Sequence, residues 1–225
     1  ALNNAFWNIR REAVRALGKV QKDDDSVRGH IAATLIVASR DTKSAVRSAS
    51  ISQLGKFRGQ AVVEALRGAL NDSSYSVVSS ALGALSQADS ANAESTVIAY
   101  LEKPSYRNSV ANAALAALVK LDSTRGVAEA LLDVRYGKPV ATRFAALGIL
   151  RRHAGGRPEV KAACVSLIND KDGGIRSRAV QALGEIGDEA VLPGLEKIAG
   201  DQENQAAGAA KASIEKIKGR LSGRK

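Results

Sequence analysis

The decapeptide IRREAVRALG, Ile9–Gly18, returns along the chain in degenerate form. It comes back as VRSASISQLG from Val46, VVSSALGALS from Val77, VANAALAALV from Val110, TRFAALGILR from Thr142 and IRSRAVQALG from Ile175. A weaker seventh copy, AAGAAKASIE, starts at Ala206. Starts lie 31 to 33 residues apart, except for a first offset of 37 that holds the insertion Lys22–Ser26. The first position is apolar or small, the fifth small and the ninth Leu or Ile. The ninth positions are Leu17, Leu54, Leu85, Leu118, Leu150, Leu183 and Ile214. Positions four apart fall on one stripe of an α-helix, so each copy predicts an amphipathic helix. The small fifth residues, Ala13, Ser50, Ala81, Ala114, Ala146, Ala179 and Ala210, let neighbouring helices approach closely.

A second apolar-periodic segment separates successive copies, as in GHIAATLIVAS, AVVEALRGAL, AESTVIAYL, GVAEALLDV, EVKAACVSLI and AVLPGLEKI. Turn signals stand at both ends, among them Asn71–Ser74, Asn169-Asp170, Gly187-Asp188 and Gly200-Asp201. Pro158 and Pro193 occupy first-turn positions, where a missing N–H costs least. The unit is two antiparallel helices in about 33 residues, too small to bury both stripes alone, so successive units must stack. The expectation is an all-α chain: an α-α superhelix of about seven hairpins forming a single domain over residues 1–225. Its opening in mid-repeat suggests a C-terminal fragment of a longer chain.

Composition agrees. The 225 residues are 45% hydrophobic but only 4% aromatic, which suits close-packed helices better than strands. No apolar run approaches the roughly 20 residues a bilayer span needs. One cysteine, Cys164, excludes an internal disulfide framework, suits a reducing compartment and favours the cytoplasm. Within KAACVSLI it reads as a small buried hydrophobe. His30 and His153, the two histidines, lack the partners a metal or a nucleophile triad needs, and read as structural. Gly155-Gly156 and Gly173-Gly174 read as turn chemistry, and Asp23-Asp24-Asp25 as an exposed loop. Net charge is +10, with a basic concentration at the end: Lys211, Lys216, Lys218, Arg220, Arg224 and Lys225 against Glu215. That tail reads as a solvated last helix, while the overall balance favours anionic partners.

The pattern resembles HEAT and HEAT-like repeats. Asp41 precedes Arg47 by six residues and Asp170 precedes Arg176 by six. In that family such residues tie adjacent repeats into a charged ladder, which implies that Arg10, Arg47, Arg143 and Arg176 line one face. Val78 and Ala111 interrupt the row. An aromatic edge recurs ahead of the repeat helices at Trp7, Tyr75, Tyr106 and Tyr136. Its segments, AFWNIRREAVRALG, DSSYSVVSSALGAL, KPSYRNSVANAALAAL and RYGKPVATRFAALGIL, resemble in content and order the C-terminal HEAT-like domain of aminopeptidase-N-type zinc metallopeptidases.

That resemblance implies a non-catalytic domain that encloses a substrate chamber or docks a partner on its concave face. Its partner would be its own N-terminal catalytic domain or a protein or peptide ligand. Zinc belongs to the parent's H-E-x-x-H segment, which this sequence lacks, so no catalytic or metal residue carries over and no cofactor is expected in this chain. Absence of repeated His-Glu pairs argues against HEAT-repeat di-iron hydroxylases. The alternatives are a free-standing protein-binding scaffold and a basic nucleic-acid-binding HEAT-like protein. The last is disfavoured because a lone Trp7 leaves little aromatic stacking for bases.

Overall fold

Every copy of the repeat folds as a helix, and the second to sixth copies turn their apolar stripe inward. The computed structural model describes residues 1–20, 24–153 and 156–223, and no strand occurs among them. Asp23, Gly155, Arg224 and Lys225 lie outside the described residues, as does the side chain of His153. The chain divides into two units, Ala1–Asp122 and Ser123–Lys225.

The first unit contains α1 (Trp7–Leu17), α2 (Asp25–Ala38), α3 (Ser44–Leu54), α4 (Gln60–Ala69), α5 (Tyr75–Ala88), α6 (Glu94–Ile98) and α7 (Ser109–Leu121). Helices α1, α3, α5 and α7 carry the repeat and pack side by side in chain order. Helices α2, α4 and α6 each form a hairpin with the repeat helix that follows. First-position Val46, Val77 and Val110 are buried, as are fifth-position Ser50, Ala81 and Ala114 and ninth-position Leu54, Leu85 and Leu118. Each such leucine contributes about 1.5–3 kcal/mol by leaving water. Backbones come close where α3 ends: a Cβ on Gly55 would lie 2.9 Å from the Cα of Ala84 on α5.

The second unit contains α8 (Ser123–Asp133), α9 (Val140–His153), α10 (Pro158–Leu167), α11 (Gly173–Ile186), α12 (Leu192–Gly200) and α13 (Ala207–Ser222). Hairpins α8–α9, α10–α11 and α12–α13 repeat the plan, with α11 between α9 and α13. Pro158 and Pro193 do sit in the first turns of α10 and α12.

The described helices make six complete hairpins besides the first copy of the repeat, α1. Three details depart from the sequence reading. The segment AESTVIAYL yields only the five-residue α6: β-branched Thr96, Val97 and Ile98 are poor helix formers, and the chain then tightens into i to i−3 turns. In α13 the stripe runs Ala206, Ala210, Ser213, Ile217, which leaves Ile214 half-buried. The acidic run is part cap, part helix: the Asp24 carboxylate accepts from the N–H groups of Ser26 and Val27, and Asp25 opens α2.

Candidate functional site

The arginine row lies at the second position of the repeat, one residue past Val46, Thr142 and Ile175, which are buried, and past Ile9, which is exposed. The guanidinium groups of Arg10, Arg47 and Arg143 reach the loop that begins the next repeat helix. Arg10 donates through Nε and Nη2 to the two oxygens of Asp41, at 2.7 and 2.8 Å. Its Nη1 donates to the carbonyls of Asn4 and Ala5. Arg47 repeats this geometry on Asp72, also at 2.7 and 2.8 Å, with Nη1 on the carbonyls of Asp41 and Thr42. Each arginine therefore clamps its own loop and the next one together, with the planar fork matched to a carboxylate.

In the second unit Arg143 is nearly buried and pairs with Asp170 through Nη1 and Nη2, while its Nε donates to the carbonyl of Val134 at 2.9 Å. Arg176 keeps only the loop clamp, Nη1 to the carbonyls of Asp170 and Lys171; its buried Nε has no hydrogen-bond partner among the described residues. Between the two sets, Val78 is buried and Ala111 half-buried, so no cation continues the row there.

The carboxylates take their electrostatics from these clamps. Hydrogen bonds from Arg10, Arg47 and Arg143 hold Asp41, Asp72 and Asp170 below the usual carboxylate range. Backbone N–H groups two residues on support them: Lys43, Ser74 and Asp172 donate to the same carboxylates at 2.8–2.9 Å. Arg10 and Arg47 are shifted upward in return. Arg10, Arg47 and Arg143 are thus engaged within the fold and offer no open fork to a ligand.

The aromatic edge has the opposite character. Trp7, Tyr75, Tyr106 and Tyr136 are between 40% and 74% exposed. Trp7 and Tyr75 open α1 and α5, and Tyr106 lies three residues ahead of α7, so in the first unit all three stand at the N-terminal ends of the repeat helices. Tyr106 is carried by a turn in which Arg107 and Asn108 both adopt left-handed backbone, φ 54° and 53°. Two adjacent non-glycine residues in that region are uncommon. Arg11 stacks on the Trp7 ring at 5.2 Å, and Lys171 on Tyr136 at 5.4 Å in the second unit.

The sequence reading missed several participants. Asp72 was legible only as a helix stop, although it sits 25 residues after Arg47, near the 27 that separate Asp170 from Arg143. Phe6 joins the exposed edge beside Trp7. Arg220, read as part of a solvated tail, donates to the carbonyls of Gly184 and Gly187 and so caps the end of α11. His30 is exposed on α2, where its Nδ1 lies 2.8 Å from the carbonyl of Ser26. Cys164 is fully buried, and burial pushes its thiol up to about 11. Among the described residues no group of three or more His, Cys, Asp and Glu could hold a metal ion. No described helix is long and apolar enough to cross a membrane.

A family model described as HEAT repeats matches residues 1–86 and 128–215. No curated protein matches the sequence. Among solved structures, Escherichia coli YibA is similar at TM-score 0.56 and 18% identity, covering 96% of this chain and 89% of its own. The complex of CpcE and CpcF of phycocyanin lyase from a Nostoc species is similar at TM-score 0.54 and 18% identity, covering 99% and 91%. At such identities the likeness is one of fold.

Proposed function

Because the chain belongs to the HEAT-repeat family, we propose that it is a non-catalytic protein-binding module that recognises an extended protein or peptide segment along its aromatic edge. The observation that carries this is a division of labour: Arg10, Arg47 and Arg143 are tied into internal ion pairs, while Trp7, Tyr75 and Tyr106 are presented to solvent. Aromatic side chains dominate interface energetics because they bury large areas at low entropic cost. The net charge of +10 favours a segment with acidic residues flanking its apolar contacts.

Peptide display against the chain tests this, with a Trp7→Ala/Tyr106→Ala variant as counter-target. Enriched peptides are expected to shift the emission of Trp7, the one tryptophan, and to bind the variant at least about tenfold more weakly, a loss of 1.4 kcal/mol. Peptides that bind both proteins equally would place recognition elsewhere.

The motif order of the aromatic edge supports a narrower reading: the module walls the substrate chamber of a longer aminopeptidase-type zinc metallopeptidase, facing the N-terminal catalytic domain. A parent sequence with H-E-x-x-H upstream of Ala1 supports it, and a parent without one removes it. The chain by itself is then expected to hydrolyse no aminoacyl substrate.

A further inference from the structure

Two rungs of the ladder show what Arg176 lacks. Arg10 and Arg47 each spend Nη1 on two carbonyls of their own loop and turn Nε and Nη2 to the two oxygens of one aspartate. Arg176 makes the same loop clamp, Nη1 to the carbonyls six and five residues back, at 2.8 and 3.2 Å. Its other edge meets no acid among the described residues, and its Nε is buried without a partner. The residue as a whole is half-buried, so the fork is not sealed from solvent. The neighbouring acids are spent elsewhere. Asp170 gives both oxygens to Arg143, and Asp172 accepts from the N–H of Ile175 as the cap of α11. Asp201 stands 25 residues after Arg176, as Asp72 stands after Arg47, yet its carboxylate is exposed and accepts from the N–H of Glu203. The side chain beside the fork is that of Gln205, which is exposed and free to move aside: a Cβ on Gly173 would lie 1.9 Å from its Oε1 and 3.4 Å from Nη2 of Arg176.

We propose that the Nε–Nη2 edge of Arg176 is a binding site for the carboxylate of an aspartate that a partner protein presents at the start of a turn. The filled rungs select this occupant. A guanidinium fork held at Nη1 matches a carboxylate in two parallel hydrogen bonds. In all three filled rungs that carboxylate also accepts from the backbone N–H two residues on: Asp41 from Lys43, Asp72 from Ser74 and Asp170 from Asp172. An aspartate in such a turn therefore arrives with its oxygens already oriented, and a charge-assisted pair gains strength where the fork is partly withdrawn from water. The site lies in the second unit and is independent of the aromatic edge at Trp7, Tyr75 and Tyr106.

The probe is a head-to-tail cyclised peptide copying Leu70–Tyr75, LNDSSY, in which Asp72 is the only acid. It is titrated into the whole isotope-labelled chain and read by NMR at the arginine Nε–H resonances, with that of Arg176 identified by its loss in Arg176→Lys. A saturable shift of the Arg176 resonance is expected. Those of Arg10 and Arg47 should stay in place, because their edges are filled. The same peptide with Asp72→Asn should bind at least about tenfold more weakly, since the pair loses its charge. Asp201→Asn alters an exposed position and should leave the binding unchanged. No shift at Arg176, or equal binding of the two peptides, overturns the proposal. So does an Arg176 resonance that moves on Asp201→Asn with no peptide present, since Asp201 would then occupy the fork. Acetate that binds as tightly as the peptide also overturns it, because the turn would then contribute nothing.

Discussion

Arg143 and Asp170 form the most deeply buried rung of the ladder, their side chains 4% and 6% exposed. The corresponding figures are 13% and 13% for Arg10 and Asp41, and 17% and 15% for Arg47 and Asp72. A buried ion pair is a weak source of net stability, but removing one member strands the other charge in low dielectric. Asp170→Asn is therefore expected to destabilise the second unit by about 3 kcal/mol, the lower end of the range for breaking a buried pair. Asp41→Asn should cost less, because water reaches its rung. Urea midpoints of the two variants check this; equal losses would contradict the burial argument.

The three ladder carboxylates also set the acid limb of stability. Each is held below its unfolded value of about 3.9 by an arginine fork. The folded state thus binds fewer protons than the unfolded one across that window. Their contribution is in place above about pH 4 and drains away as pH falls through the depressed folded values. Urea midpoints taken at pH 7, 5, 4 and 3 should show little change from these groups down to pH 5 and a decline below 4. The limb should be shallower in Asp72→Asn. An unchanged acid limb in that variant would remove the Arg47 clamp as its cause.

Two glycines are expected to respond in opposite directions to the same substitution. Gly55 ends α3 against the backbone of Ala84, where an added Cβ would lie 2.9 Å from Cα. Gly55→Ala forces α3 and α5 apart and should cost about 1–3 kcal/mol. Gly83 lies in the middle of α5 with no atom within 4 Å of an added Cβ. Gly83→Ala should stabilise by about 0.5–1 kcal/mol, through lower unfolded-state entropy and better helix propensity. Thermal melts of the pair give the sign of each effect.

The repeat helices were legible because their signal is local: a residue every four positions, with a small one at the fifth. The ladder was legible in part. Asp41 and Asp170 could be singled out by their place six residues before an arginine, but that arginine takes their backbone carbonyls, Arg47 from Asp41 and Arg176 from Asp170. Their carboxylates go to the arginine of the preceding repeat. The linking distance depends on the intervening helix and its loops: 31 residues from Arg10 to Asp41 across the 14-residue α2, but 25 from Arg47 to Asp72 and 27 from Arg143 to Asp170 across the 10-residue α4 and α10. A fixed spacing could not reveal it. Arg220 was hidden for a related reason, since the carbonyls it caps lie more than 30 residues away in the chain. Ile9, Ala13 and Leu17 fit the same pattern as their buried counterparts, so the pattern by itself does not show that they are less buried.

Cys164 gives a probe of the hairpin formed by α10 and α11. Its thiol is fully buried, and burial raises it to about 11, so at pH 8 the folded protein presents neither access nor thiolate. Labelling by a disulfide reagent should be negligible in the native state and stoichiometric in denaturant. When reclosing outpaces the reaction, the native labelling rate follows the population of the opened form. Asp170 lies in the turn that follows α10. The loss of about 3 kcal/mol expected for Asp170→Asn should therefore speed labelling by about 100-fold, at 1.4 kcal/mol for each factor of ten. Gly83→Ala, in the first unit, should leave the rate unchanged if the two units open independently and slow it if they open together. Rapid labelling of the unmodified chain at pH 8 would show that the α10–α11 hairpin opens on its own, without disturbing the Arg143–Asp170 rung.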